Sequence, residues 1–375
     1  MKVKLVIATT VPETLFTILR GQPRWLSEHF DVVCVTSPGL QNAQVREAEG
    51  VEVIEVPMSR GISPVKDLFS IMRMCKVLRD LKPDIVHSYT PKAGLVAMLS
   101  AFFLRIPIRV HTFTGLVFPT CSGLKRQLLI TVDRLICFSA TRVVPEGLGV
   151  AYDLSVNKVT GKTLEVIGHG NIAGVDVDYF CPSFSGRLEI GERLGFVFCF
   201  VGRLNRDKGI AELVRAFQKV SQPAKLIIVG ELDQTAPIDD ETISMIRSDS
   251  SIITTGFLSD IRPALAICDA VVLPSYREGF PNALLQAGAM AKPAIASDIN
   301  GCNEIVENGH NGLLVTPGSV ESLLFAMNEF LHMDEGELLK LGNSARKMVV
   351  ERFDQSTYRE SLLKFYQERI DEAFH

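Results

Sequence analysis

The stretch "FVFCFVGRLNRDKG" (residues 196–209) decides the fold. Its first seven residues form an unbroken apolar run closed by glycine, as in a strand buried on both faces of a parallel sheet. Its polar tail reads as a loop leading into a helix. The same rhythm runs once through the first half of the 375 residues. There "VKLVIA" (3–8), "DVVCVT" (31–36), "VEVIEV" (51–56), "DIVHSY" (84–89) and "IRVHTF" (108–113) read as strands. Helical stretches such as "PVKDLFSIMRMCKVLRDL" (64–81) lie between them. A helix over about 124–140, another strand and a glycine-rich passage, "IGHGNIAGVD" (167–176), close that series. From residue 196 a second series runs through "KLIIVG" (225–230), "SIITTG" (251–256), "AVVLPS" (270–275), "PAIASD" (293–298) and "NGLLV" (311–315). This βα alternation predicts an α/β protein of two doubly wound, Rossmann-like domains, with the break between residues 174 and 185. Ligands of such sheets bind beyond the carboxyl ends of the strands, so the loops that follow strands are where chemistry is expected.

Composition narrows the classes of function. The chain is 47% hydrophobic, ample for buried cores. Its net charge is −4 with no long run of one sign, which speaks against nucleic acid as a partner. Residues 1–180 hold 20 Lys and Arg against 16 Asp and Glu; residues 181–375 hold 19 against 27. The basic excess lies between Arg60 and Arg142. It fits an anionic membrane or an anionic substrate, and equally a solvated helix surface. Eight cysteines without a C-x-x-C pair or a Cys/His cluster fit a reducing cytoplasm and argue against structural zinc. The opening "MKVKLVIATT" is too short an apolar run for a signal peptide. The run "AGLVAMLSAFFL" (93–104) is too short to span a bilayer and reads as a buried helix. A soluble or peripheral protein is expected.

Two loops carry most of the candidate chemistry. In "VGRLNRDKG" (201–209) a strand ends at Gly202, and Arg203 and Lys208 follow before a helix. Two cations there suit a diphosphate, Arg bidentately and Lys as a point charge. An ordinary solvated loop is the alternative. In "YREGFPNALLQAG" (276–288) Pro281 reads as the first helical residue. Gly279, Phe280 and Asn282 then leave amides free at the positive end of a helix, an anion site. Glu278, just before it, repels phosphate and is better placed for neutral sugar hydroxyls or a cationic transition state. Gln286 lies inside the helix and reads either as a ligand contact or as a buried, satisfied amide. In the first half, Thr90 reads as an N-cap and Pro91 as N1 of a helix, with Lys92 near the same helix start.

Taken together, "GRLNRDKG" and "EGFPNALLQAGAMAKPAIASDINGCNEIV" resemble the retaining glycosyltransferases of the GT-B fold, the glycosyl transferases group 1 or family 4. The stretch "HSYTPKAGLVAMLSAFFLRIPIRVHTFTG" (87–115) resembles bacterial members that build surface polysaccharides and lipid-linked oligosaccharides. The resemblance implies two Rossmann-like domains facing across a cleft. Residues 1–180 would bind the acceptor, joined by a final helix over 356–375, and residues 181–355 would bind the donor. It implies that Arg203 and Lys208, next to Gly202, hold the diphosphate of a nucleotide-sugar. It implies that the backbone at Gly279, Phe280, Pro281, Asn282 and Ala283 lines the phosphate. It gives Glu278 the donor sugar, and His111, expected just after its strand, a second contact with that sugar. Thr9, Thr10 and Lys92 are the candidates for the acceptor.

Three departures from the family pattern stand out. Gln286 replaces the second glutamate of E-x7-E; it still pairs with ribose hydroxyls at a cost of about 1 kcal/mol. The loop "ATTVPET" (8–14) lacks a Gly-Gly pair, and Ala173 stands where relatives often carry Asn. "DVD" (176–178) is not read as a metal site, because Arg203, Lys208 and a helix N-terminus suffice to neutralise a diphosphate. The resulting expectation is a cytoplasmic, metal-independent, retaining glycosyltransferase with no cofactor. It takes a UDP-sugar donor and a polyprenyl-diphosphate-linked or polysaccharide acceptor, and the basic first half contacts the membrane. The rivals are a UDP-sugar epimerase of the same fold and a catalytically silent nucleotide-sugar-binding protein.

Overall fold

The structure, a computed structural model, describes residues 2–59, 61, 63–186, 188–189, 191, 195–233 and 236–374. Arg60, where the basic stretch opens, lies outside them. The chain divides into two compact units, Met1–Gly174 with Ser356–His375, and Val175–Gln355.

The first unit alternates β1 (Lys4–Ala8), α1 (Gln22–Ser27), β2 (Asp31–Thr36), α2 (Gln41–Glu49), β3 (Glu52–Glu55), α3 (Pro64–Leu81) and β4 (Ile85–Tyr89). It continues with α4 (Pro91–Phe103), β5 (Ile108–Phe113), α5 (Gly123–Ser139), β6 (Arg142–Pro145) and α6 (Leu148–Val156). The second unit runs β7 (Phe196–Val201), α7 (Ile210–Phe217), β8 (Ala224–Val229), α8 (Asp240–Ser248), β9 (Ile252–Gly256), α9 (Arg262–Ile267) and β10 (Ala270–Leu273). It ends with α10 (Asn282–Ala289), β11 (Ala294–Ser297), β12 (Gly312–Val315), α11 (Val320–His332) and α12 (Glu335–Arg352). Helix α13 (Gln355–Phe374) then belongs to the first unit. Every strand read from apolar runs is present.

The two sheets have the same plan. Their strand orders are β3-β2-β1-β4-β5-β6 and β12-β11-β10-β7-β8-β9, all parallel. Each reverses its winding direction once, between β1 and β4 in one and between β7 and β10 in the other. A doubly wound sheet opens a crevice at that switch point, outside the strand ends.

In the first unit the strands bury both faces, one residue set on each. Val6 and Ala8 of β1 enter the core shared with α3, α4 and α5, while Leu5 and Ile7 enter the core shared with α13. Helix α13 contributes Tyr358, Leu362, Phe365 and Tyr366 to that second core. The Tyr366 hydroxyl meets Nδ1 of the buried His87 at 2.6 Å, and Thr112 meets its Nε2 at 2.7 Å. Burial lowers the His87 pKa, so this polar group sits neutral in a fully buried strand.

Helix α4 corrects one expectation. Val96, Ala97, Met98 and Ala101 are buried, but Phe102 and Phe103 at its end are exposed. The helix lies between α3 and α5 in a single outer layer, so only its sheet-facing side is covered. Among the described residues no helix is long and apolar enough to cross a membrane.

Candidate functional site

In the second unit the loops after β7 and β10 meet at the switch point. Beyond Gly202 the chain makes one 3₁₀ turn over Arg206–Lys208, whose last amide donates to the Asn205 side chain at 3.2 Å. Gly209 follows at φ 68°, and a Cβ there would lie 2.1 Å from the Pro274 carbonyl oxygen. Only glycine lets the first loop press this closely on the end of β10. Two further ties join the loops. The Tyr276 amide donates to the Asp207 carbonyl at 2.8 Å, and the Arg277 guanidinium donates twice to the Asp207 carboxylate, at 2.6 and 3.0 Å.

Glu278 sits on this platform. Its Oε1 accepts from Lys208 Nζ at 2.5 Å and from the buried Ser275 hydroxyl at 2.6 Å. The cation expected to hold a diphosphate is thus paired with the carboxylate expected to face a sugar. Arg203 is separate. It is 64% exposed and donates to Asp233 Oδ2 at 2.6 Å, an oxygen that Asn205 also contacts.

Helix α10 starts one residue later than the sequence predicts. Pro281 has ψ 108° and its carbonyl accepts from the Leu284 amide at 3.1 Å, which makes it the N-cap; Asn282 is the first helical residue. Proline's fixed φ serves either position, and the extended ψ settles it. The amides of Gly279, Phe280 and Ala283 have no hydrogen-bond partner among the described residues. The Phe280 side chain is buried against Phe353, ring centroids 5.3 Å apart, and anchors the loop while its amide stays available. Gln286 is half-buried, and its side-chain amide has no partner among the described residues. The reading of it as a buried, satisfied group is therefore not how the structure uses it.

The first unit's switch point is built differently. Thr90 occupies the N-cap position of α4 at φ 72°, but its hydroxyl makes no cap bond. It meets the Thr10 hydroxyl at 2.6 Å, and Thr10 Oγ1 accepts the Ala93 amide at 3.1 Å. Thr10 caps the helix from another loop, which corrects the assignment of that role to Thr90. Thr9 bonds Thr36 at 3.1 Å and the Val11 carbonyl at 3.2 Å. Both Thr9 and Thr10 are buried, so their hydroxyls are committed to the fold rather than offered to an acceptor. Lys92 is likewise engaged: Nζ contacts both Asp67 oxygens at 2.7 Å, with both side chains only 11% exposed.

His111 lies within β5, not after it, because the strand continues to Phe113 and pairs with β6. Its ring is fully buried. Nδ1 meets the Ser88 hydroxyl at 2.8 Å, and Nε2 has no partner. Helix α4 passes so close that a Cβ on Gly94 would lie 2.3 Å from the imidazole. Burial pushes the His111 pKa down to about 3, so the ring is neutral. In the "DVD" passage, Asp176 Oδ1 accepts the amides of Asp178 and Tyr179 and closes a turn.

Sequence reasoning missed the partner of each cation. Asp233 is 30 residues from Arg203, Asp67 is 25 from Lys92, and no local pattern links them. Ser275 was within reach, because it lies three residues before Glu278 at the end of an apolar run.

Comparison with known proteins bears on this arrangement. A family model described as Glycosyl transferases group 1 matches residues 195–333, and one described as Glycosyl transferase 4-like domain matches residues 17–147. An uncharacterised glycosyltransferase of Methanocaldococcus jannaschii is 30% identical over 92% of this chain and 92% of its own. The chain belongs to the glycosyl transferases group 1. It is therefore a glycosyltransferase. This glycosyltransferase is also 27% identical to the capsular polysaccharide biosynthesis glycosyltransferase of Staphylococcus aureus, over 95% of both chains. It is 26% identical to the Escherichia coli UDP-Gal:alpha-D-GlcNAc-diphosphoundecaprenol alpha-1,3-galactosyltransferase, over 88% of this chain and 86% of the other. A solved structure of Anabaena HepE in complex with UDP and glucose superposes with TM-score 0.80 at 18% identity, covering 98% of this chain and 100% of that one. That likeness extends the GT-B fold over nearly the whole glycosyltransferase.

Proposed function

We propose that this glycosyltransferase moves a sugar from a UDP-sugar to a polyprenyl-diphosphate-linked glycan, with retention at the anomeric carbon. The observation that carries the reading is the second unit's switch point. There Lys208 pairs with Glu278, the amides of Gly279, Phe280 and Ala283 follow unpartnered, and Arg203, held by Asp233, stands on the same loop as Lys208. The Escherichia coli relative, a UDP-Gal:alpha-D-GlcNAc-diphosphoundecaprenol alpha-1,3-galactosyltransferase, supports the donor and the lipid-linked acceptor, and the HepE complex with UDP supports the donor.

The donor's diphosphate takes Lys208, Arg203 and the α10 amides. These donors stabilise the charge that grows on the leaving phosphate as the bond to the anomeric carbon breaks. A diphosphate competes with Glu278 for Lys208, and the released carboxylate, still held by Ser275, turns to the sugar. It orients the ring and balances its oxocarbenium character. The acceptor hydroxyl attacks from the face the phosphate leaves, and its proton passes to the departing phosphate oxygen. Gln286, on the second turn of α10, meets the ribose. The cations and amides supply the neutralisation, so no step calls for a metal ion.

The first unit receives the acceptor. Lys92 is already paired with Asp67 and His111 is fully buried with Nδ1 on Ser88, so both act as positioning residues that hold α4 and β5 in place.

A thermal-shift series tests the donor. UDP and UDP-sugars should raise the melting temperature by mass action, about 2.7 kcal/mol at one hundred times Kd. No shift with any uridine nucleotide overturns the donor assignment. Interconversion of UDP-N-acetylglucosamine without acceptor establishes an epimerase instead. Binding without transfer to any lipid-linked acceptor leaves a nucleotide-sugar-binding protein.

A further inference from the structure

Glu278 uses its two carboxylate oxygens unequally. Oε1 accepts both from Lys208 Nζ, at 2.5 Å, and from the Ser275 hydroxyl, at 2.6 Å. Oε2 has no hydrogen-bond or ion-pair partner among the described residues, and the side chain keeps 10% exposure. We infer that Ser275 is a positioning residue for sugar transfer: its hydroxyl holds Oε1 so that Oε2 faces the donor sugar once the diphosphate has drawn Lys208 away. The inference deepens the reading of Glu278 as the carboxylate that meets the sugar, and it rests on that reading.

The serine is a fixed point. It is fully buried, and the chain is held on both sides of it. The Pro274 carbonyl lies against Gly209, and the Tyr276 amide donates to the Asp207 carbonyl at 2.8 Å. Beyond the carboxylate, Gly301 stands at φ 79°, and a Cβ there would lie 2.0 Å from the Gly279 carbonyl oxygen. Only glycine lets the loop after β11 back the loop that carries Glu278. The backbone around Glu278 is therefore pinned, while its side chain keeps freely rotating bonds of its own. The Ser275 hydroxyl is the fixed, neutral group that restrains them.

Burial alone does not force this bond. Ser297, at the end of the neighbouring strand β11, is just as buried, and its hydroxyl has no partner. The fold tolerates a buried serine without an acceptor there. The 2.6 Å contact of Ser275 lies in the range of a charge-assisted hydrogen bond to a carboxylate.

The two donors on Oε1 also differ in what a ligand does to them. Lys208 is a cation, and a diphosphate competes for it. Ser275 is neutral and enclosed, so its bond persists through the exchange. Without it the carboxylate would follow the lysine or turn to water. Oε2 would then meet the sugar in many orientations, which weakens transition-state stabilisation and leaves nucleotide binding alone.

Ser275→Ala, compared with Glu278→Gln, tests this. The alanine variant should lose about thirtyfold in kcat, while its UDP affinity, read from the UDP-induced rise in melting temperature, should change by less than about twofold. Ser275→Cys, a weaker donor of similar shape, should fall between the alanine variant and the wild type. Adding Ser275→Ala to Glu278→Gln should leave kcat within about threefold of Glu278→Gln alone, because the hydroxyl acts through the carboxylate. A purely structural serine would lower melting temperature and UDP affinity together and cost the same factor in both backgrounds. That result, or wild-type turnover in Ser275→Ala while Glu278→Gln is inactive, overturns the inference alone. Wild-type turnover in Glu278→Gln overturns the role of Glu278 and the inference with it.

Discussion

The two switch points share one topology and differ in what their polar groups have left to give. In the second unit, Lys208 is paired with Glu278 beside the unpartnered amides of Gly279, Phe280 and Ala283. In the first, Lys92 is paired with Asp67, Thr10 bonds Thr90 and the start of α4, and Thr9 bonds Thr36 and the Val11 carbonyl. Both sites hold a lysine–carboxylate pair. Only one of them also offers donors that a ligand can take. The strand order puts polar residues at the crevice in each half; the supply of internal partners decides which crevice does chemistry and which holds the fold together.

The sharpest way to break this comparison is Glu278→Gln. Transfer should fall about a thousandfold in kcat, ~4 kcal/mol. UDP should bind at least as tightly, because Lys208 is freed from its carboxylate. An equal loss of binding and turnover would erase the division of roles between the two residues.

Lys92→Met probes the other pair. Removing the cation strands a buried carboxylate and should cost about 3 kcal/mol in urea unfolding, while Lys92→Met with Asp67→Asn should recover most of it. Lys208→Met strands a carboxylate just as buried and should cost stability too, but unlike Lys92→Met it should also abolish transfer through loss of diphosphate binding. A single Lys92 variant costing under about 0.5 kcal/mol would class the pair with surface contacts.

The buried histidines set an acid response. The His111 pKa is held near 3, below its usual 6.5, and that of His87 is also lowered. As pH falls below 6.5 the unfolded chain takes up protons that the folded chain refuses, so stability drops toward about pH 3. Asp133, raised to about 7 by burial, opposes this: its contribution is present at low pH and is lost as pH rises from 3.8 through 7. His111→Asn should flatten the acid limb by ~1.4 kcal/mol per pH unit, read from urea midpoints across the range. An unchanged slope would mean that His111 takes up its proton in the fold.

The smallest effect belongs to Gln286→Glu. It should alter kcat/KM by less than about tenfold, chiefly through KM, since either side chain accepts from a hydroxyl. A larger fall in kcat would move Gln286 from the ribose to the reacting sugar.

Apolar runs and their spacing were enough to read all twelve strands, the doubly wound class and the loops that carry Arg203, Lys208 and Glu278. Strands of a parallel sheet are buried on both faces, so local hydrophobicity reports them directly. Tertiary structure alone decided who partners whom. Asp67, Asp233 and Thr10 act on residues at least 25 positions away, and periodicity holds no trace of such contacts. It also made Pro281 an N-cap and left the outer side of α4 uncovered. These outcomes depend on where a helix starts and which neighbour reaches it. The packed chain determines both.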